Sequence, residues 1–221
     1  MKWNLNPEYM DDLLVRMAYH STAIEGNSLS LDDSRAILIS NRIPHPMSVK
    51  EFYEVRNYRE LQTLLEEKAD NPIEIFDIQE INRILLRDID PKGGCFKVIP
   101  NVIIGADFTP TPPYQVQEEL KKWVDDMKWR MDNARDDKEK VLIIMEQHLR
   151  FEHIHPFADG NGRTGRALMI WSCLEHHIVP IVIEKEQRTD YIRALNDRDV
   201  SSLLKMVKDI QAKEKERMEF F

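Results

Sequence analysis

The chain has 221 residues, with 31 Lys and Arg against 39 Asp and Glu, a formal charge of −8, 42% hydrophobic and 32% charged residues. That length can bury a full core and fits one domain, while the acidity, with no basic arm or stripe, excludes a nucleic-acid binder. Two cysteines, Cys95 and Cys173, exclude a disulfide scaffold, and no apolar run approaches the roughly 18 residues a membrane helix needs. The opening Met-Lys-Trp-Asn-Leu-Asn-Pro has no apolar signal core, so a cytoplasmic protein without a membrane partner is expected.

In chain order, Pro7 to Ile24 carries Met10, Leu13, Leu14, Met17 and Ala18 at helical spacing and ends at Gly26-Asn27. Ser30 with Asp33 opens a short helix to about Ile39, and Pro44 and Pro46 then break the chain. Ser48 with Glu51 predicts one long helix through Val55, Tyr58, Leu61 and Leu65. Asp77 with Glu80 starts another through Ile81, Ile84, Leu85 and Ile89. β-formers on either side of Pro100-Asn101 predict a hairpin over Phe96 to Gly105. Further helices are expected around Val116–Met127, Val141–Leu149, Ala167–Glu175, Gln187–Leu195 and Val200–Ile210. The charged tail, residues 213–221, is expected to fray.

Residues 155–166 read His-Pro-Phe-Ala-Asp-Gly-Asn-Gly-Arg-Thr-Gly-Arg. Pro156 with Gly160 and Gly162 forbids a continuous helix here, so a tight turn must feed the next helix's N-terminus. Such a turn aims several backbone N–H groups at one point, which suits phosphate. Arg163 and Arg166, three residues apart, project from one helical face and extend the positive cradle. Asp159 at the rim reads either as a Mg²⁺ ligand beside phosphate oxygens or as a helix N-cap. His155 reads as a base or as a loop hydrogen-bonding group, and Phe157 as an aromatic anchor. Together these groups describe phosphoryl or nucleotidyl transfer. His148 and His153 add a transition-metal reading, against which stands a core histidine on an apolar helix.

The run His-Pro-Phe-x-Asp-Gly-Asn-Gly-Arg-x-x-Arg resembles the Fic-domain motif at every defined position. The resemblance implies an all-α Fic fold, a helical bundle with one β-hairpin flap beside the active site. It also implies a transferase moving AMP from ATP, with Mg²⁺, to a hydroxyl on a target protein or on itself. By the same resemblance His155 is the general base and Asp159 the metal ligand. Gly160, Asn161, Gly162 and Arg163 cradle the α- and β-phosphates, and Arg166 takes the γ-phosphate. The hairpin resembles the Fic flap, which docks a target segment as an edge strand, through Lys97, Val98 and Val102 here. Lys97 stands where the family usually has arginine. Gln187–Tyr191 and Leu195-Asn196 resemble the segment closing over adenine, so Tyr191 and Asn196 become base contacts; helical core packing is the other reading of Tyr191.

Far upstream, Ser21-Thr-Ala-Ile-Glu25-Gly26 resembles the Fic inhibitory motif. Ser21 and Glu25 lie i and i+4 on the first predicted helix and face the same way. In the family that glutamate pairs with the second motif arginine, here Arg166, and takes the donor fork the γ-phosphate needs. The plain alternative is an ordinary helix-terminal glutamate. The expected layout is one domain: residues 1–45 carrying the inhibitory motif, a core at 46–212, and the tail. Rival functions are a hydrolase removing AMP from modified protein through the same site, and a nucleotide sensor without turnover. Self-association is compatible with the family.

Overall fold

The computed structural model describes residues 5–68, 70–101 and 108–221. Helix α1 (Pro7–Ile24) begins where Asn6 accepts the Glu8 N–H at 2.8 Å and Pro7 supplies the preset first turn. Capping boxes open α2 (Leu31–Leu38) at Ser30/Asp33 and α3 (Val49–Arg56) at Ser48/Glu51. The single long helix expected from Ser48 is instead two, α3 and α4 (Tyr58–Lys68). Between them stands buried Asn57, whose side-chain amide donates to the carbonyls of Leu85 (3.3 Å) and Arg87 (2.8 Å). Helix α5 (Ile75–Leu85) starts earlier than expected and stops short of Ile89. Asp77 is its third residue and reaches back to the Glu74 N–H at 3.0 Å, so the capping box is Glu74/Asp77.

The remaining helices are α6 (Val116–Asp132), α7 (Asp137–Ile154), α8 (Asn161–Glu175), α9 (Arg188–Asn196) and α10 (Val200–Phe220). Tail residues 213–220 complete α10 rather than fraying, and Phe221 follows them. The alternating charges there read as a solvated face, but Glu214 turns inward and is buried. It accepts Arg16 Nη1 and Nη2 of α1 at 2.7 Å each, and the Phe221 ring packs edge-on against Tyr9. The first and last helices are thereby tied together.

Every residue of α8 except Gly162 and Glu175 is buried. Its Ala167, Leu168, Ile170, Trp171 and Leu174 join a core shared with α1, α3, α4 and α5. Met169 and Cys173 join a second core shared with α6, α7, α9 and α10. A helix apolar all round belongs at the centre of a bundle, and α8 occupies that place. The all-α architecture agrees with expectation.

The hairpin is only partly within view: Val102 and the rest of its second half lie outside the described residues. The first half does not pair with a strand among the described residues. Phe96 forms an isolated antiparallel bridge with Phe157, and the Lys97 N–H donates to the Pro156 carbonyl at 2.9 Å. Among the described residues no helix is long and apolar enough to cross a membrane.

Candidate active site

The loop between α7 and α8 is shaped by two left-handed residues, His155 (φ 49°) and Gly160 (φ 76°). Gly160 is required twice over, since a Cβ there would also meet Asn82 Nδ2 at 2.9 Å. The first intrahelical bond of α8 runs from the Thr164 N–H to the Gly160 carbonyl at 2.9 Å. The amides of Asn161, Gly162 and Arg163 precede it and form the positive end of the helix.

Buried amide side chains hold this loop. Asn161 accepts the Phe157 N–H and donates to the Phe157 carbonyl, both at 2.9 Å. Its side chain is therefore engaged in shaping the loop, and what it offers a ligand is its backbone N–H. Asn82 of α5 donates to the Asp159 carbonyl and Thr164 Oγ1 at 3.1 Å and accepts the Gly94 N–H at 2.8 Å. Asn101 donates to the Phe157 carbonyl at 2.9 Å. Of these, Asn82 left a trace in the sequence, a polar residue within the apolar stripe Ile78, Ile81, Leu85; Asn101 showed there only as a turn signal.

The two arginines part company. Arg163 is buried and reaches Glu54 of α3 at 3.3 Å and both oxygens of Asp159 at 3.3 Å. Arg166 turns toward α1. Its Nε donates to Ser21 Oγ at 2.9 Å, and its Nη2 donates to the Ser21 carbonyl at 2.9 Å and to Glu25 Oε1 at 2.6 Å. Burial works against the charge of each partner, yet the pairing prevails: Glu25 is held below the usual carboxylate range and Arg166 well above the usual guanidinium one. Gly162 makes room for this contact, because a Cβ there would lie 2.4 Å from Glu25 Oε1. The carboxylate thus sits over the first turn of α8, where an anion is favoured.

His155 lies on the wall of a cavity of about 120 Å³ lined also by Glu25, Glu152, Arg166, Tyr191 and Asn196. Burial is the main influence pushing its imidazole down to about 4, and nearby Lys97 adds to it; the Glu152 carbonyl, Glu25 and Asp159 pull the other way. The ring is neutral at pH 7. Its Nδ1 lies 3.3 Å from the Glu152 carbonyl, which can only accept, so Nδ1 carries the proton and Nε2 keeps a lone pair. That is the tautomer a base needs. The cavity is smaller than the roughly 300 Å³ at which small-molecule pockets begin, with the Glu25–Arg166 pair among its walls.

Tyr191 is fully buried, and its hydroxyl is 2.7 Å from His148 Nε2; it serves the cavity as a wall. His153 bonds the Leu195 carbonyl at 2.9 Å and stacks on Phe108 at 3.7 Å. These histidines have partners of their own, and among the described residues no group of three or more His, Cys, Asp or Glu could hold a metal ion. The transition-metal reading is set aside on that geometry. Asp159, paired with Arg163, keeps its side chain 52% exposed. Lys97 is turned inward and buried, its Nζ 2.7 Å from Asn101 Oδ1 and 3.3 Å from the Ile154 carbonyl, whereas Val98 is 85% exposed.

Glu152 has no counterpart in the motif as read from sequence. Its Oε1 is buried without a hydrogen-bond partner against Gly165, where a Cβ would approach to 2.2 Å. Burial pushes its carboxyl from 4.5 up to about 7; Arg166 opposes this and Glu25 reinforces it. A raised carboxyl pKa means the folded protein binds the extra proton, so stability falls as pH climbs from about 4.5 to 7 and then levels off. Glu152→Gln removes that slope. Urea unfolding is expected to show equal stability at pH 4 and a gain of up to about 3 kcal/mol at pH 8. Parallel pH profiles for the two proteins would refute it.

Residues 72–173 match the family model described as the Fic/DOC family. A protein adenylyltransferase fic-1 from Caenorhabditis briggsae is 34% identical over 195 residues, covering 86% of this chain and 38% of the relative. The chain thus spans about two-fifths of the length of the curated relatives it matches. A solved fragment of Fic-1 from C. elegans superposes with a TM-score of 0.81 at 28% identity, over 94% of this chain and 63% of that one. A Fic-domain-containing signaling protein from Bacteroides thetaiotaomicron shares the fold, with a TM-score of 0.83 at 22% identity, over 98% of this chain and 90% of that one. With the motif loop and most of the central helix inside the matched stretch, and the whole bundle superposing on a solved Fic-1 fragment, residues 72–173 form a Fic/DOC-family domain.

Proposed function

We propose that the protein is a Fic-type protein adenylyltransferase, moving AMP from ATP to a hydroxyl side chain of a target protein or of itself. Its resting state is inhibited by Glu25 on Arg166. The observation that carries the reading is an imidazole whose Nδ1 faces the Glu152 carbonyl, which leaves Nε2 as the acceptor, beside a helix N-terminus whose arginine already holds a carboxylate. The adenylyltransferase activity for which relatives 34% identical are named agrees with it.

In this reading the α- and β-phosphates lie over the amides of Asn161, Gly162 and Arg163, and the γ-phosphate takes the place of Glu25 on Arg166. His155 Nε2 accepts the proton of the acceptor hydroxyl as its oxygen bonds to the α-phosphorus. The bond from that phosphorus to the β-phosphate oxygen breaks, and pyrophosphate leaves. Asp159 fits a Mg²⁺ ion: it is a single half-exposed carboxylate at the rim, and Mg²⁺ takes one or two carboxylates with phosphates and water completing its octahedron. Bound there, the ion would neutralise phosphate charge. Arg163, paired with Asp159, acts in this reading by placing that carboxylate.

Residues 1–45 then serve as the inhibitory part of one domain whose core begins at 46, with the exposed Val98 on the side that meets the target. The partner is a protein or a second copy of the chain, and a reducing cytoplasm suits the two free cysteines, Cys95 and Cys173. The half-exposed side chain of Glu25 beside the cavity also suits the reverse reaction, holding a water that removes AMP from modified protein. The deciding experiment incubates the wild type and Glu25→Gly with labelled ATP and a cell lysate, and a pre-modified target without ATP, reading both by mass spectrometry. AMP on proteins with Glu25→Gly supports transfer; ATP binding with no transfer by either form overturns it.

A further inference from the structure

Lys97 is 95% buried on a chain stretch where a target-docking side chain would be exposed. Its backbone N–H donates to the Pro156 carbonyl at 2.9 Å, and its Nζ lies 3.3 Å from the Ile154 carbonyl. One residue therefore grips the chain on both sides of His155. The same Nζ is 2.7 Å from Asn101 Oδ1, and Asn101 in turn holds the Phe157 carbonyl at 2.9 Å. No carboxylate within salt-bridge distance of the ammonium is found among the described residues.

The geometry points to Lys97 as a positioning residue for the base: its buried ammonium holds the Ile154 carbonyl, its backbone N–H holds the Pro156 carbonyl, and the charge stays close to the imidazole between them. A charge so placed disfavours the imidazolium, so the ring stays a proton acceptor although two carboxylates are near. The groups facing His155 are Lys97 from this segment, Glu25 from α1, Asp159 from the loop, and Glu152 and Arg166 across the cavity. Glu25 and Asp159 favour the protonated ring; Lys97 counters them, and burial acts in the same sense as Lys97. Burial also lowers Lys97 itself to about 8, so it is charged throughout the range where His155 titrates.

The role in transfer rests on the function proposed above, so the test reads the imidazole directly. Ring-labelled histidine NMR on the full chain follows His155, assigned by its loss in His155→Ala, through a pH titration. Lys97→Met is expected to raise the His155 midpoint by about one pH unit, a tenfold change in proton affinity. Lys97→Arg, which keeps charge and donors, should leave it in place. Asn101→Ala, which loosens the same loop without touching charge, should slow transfer while leaving the midpoint alone. In a Glu25→Gly background the acid limb of kcat/KM should move with the NMR midpoint. An unmoved midpoint in Lys97→Met, or a rate loss uniform in pH, overturns the assignment. A moved midpoint with no transfer by any variant supports Lys97 and overturns the proposed reaction instead.

Discussion

Glu25→Gly should raise the initial rate of AMP incorporation by about 10- to 100-fold over the wild type at subsaturating ATP. The Glu25–Arg166 contact at 2.6 Å is a charge-assisted hydrogen bond between partly desolvated groups, a class worth about 1.5–3 kcal/mol. Converted at about 1.4 kcal/mol per factor of ten, that is the range stated. The carboxylate also lies over the first turn of α8, since Gly162 alone leaves space for it. A triphosphate must therefore displace it from both the guanidinium and the helix end. After the substitution Arg166 keeps its two bonds to Ser21, so the donor fork remains oriented while the Nη2 N–H that held Glu25 is released. Labelled-nucleotide incorporation with ATP affinity measured in parallel checks this. Equal rates and equal affinities in the two proteins would falsify the inhibitory role of Glu25.

His155→Ala, made in the Glu25→Gly background, is expected to lower transfer by about 10³-fold, with ATP affinity changed less than about twofold. General-base catalysis contributes about 10²–10⁴ to such reactions, and His155 is the motif side chain whose neutral imidazole lines the cavity. In the proposed reading the nucleotide is held elsewhere, by the α8 amides and Arg166, so binding and chemistry separate. The pH dependence follows from the same group. Transfer needs the neutral ring, so activity should be flat through neutrality and fall only as pH drops toward about 4. Binding lost together with transfer would mean that the imidazole holds the loop rather than the proton.

The order and type of the helices were legible in the chain because caps and apolar periodicity are local properties. Asn6, Ser30 and Ser48 cap as their residue types require, and the glycine-bearing turn at 155–160 opens a helix. The misreadings share one cause, tertiary partners outweighing local patterns. Asn57 breaks an otherwise continuous helix to reach the end of α5. Glu214 turns a charged tail into a buried anchor because Arg16 of α1 is there to meet it. Lys97 points inward because the carbonyls beside His155 lie within its reach.

By itself the sequence determined that one motif supplies a base, a carboxylate, a turn of amides and two arginines, since those capacities belong to residue types and their spacing. Tertiary structure alone decided which of them line the cavity. Asn161 is taken up by its own loop and Arg163 by Glu54 of α3 and Asp159, while Arg166 meets a carboxylate 141 residues away. Spacing along one helix separates two arginines by less than a turn, but only the helices packed around it determine what each guanidinium finds. Glu152 makes the same point, because its unpaired oxygen and raised pKa arise from burial against Gly165, a property of packing that no single stretch of chain contains.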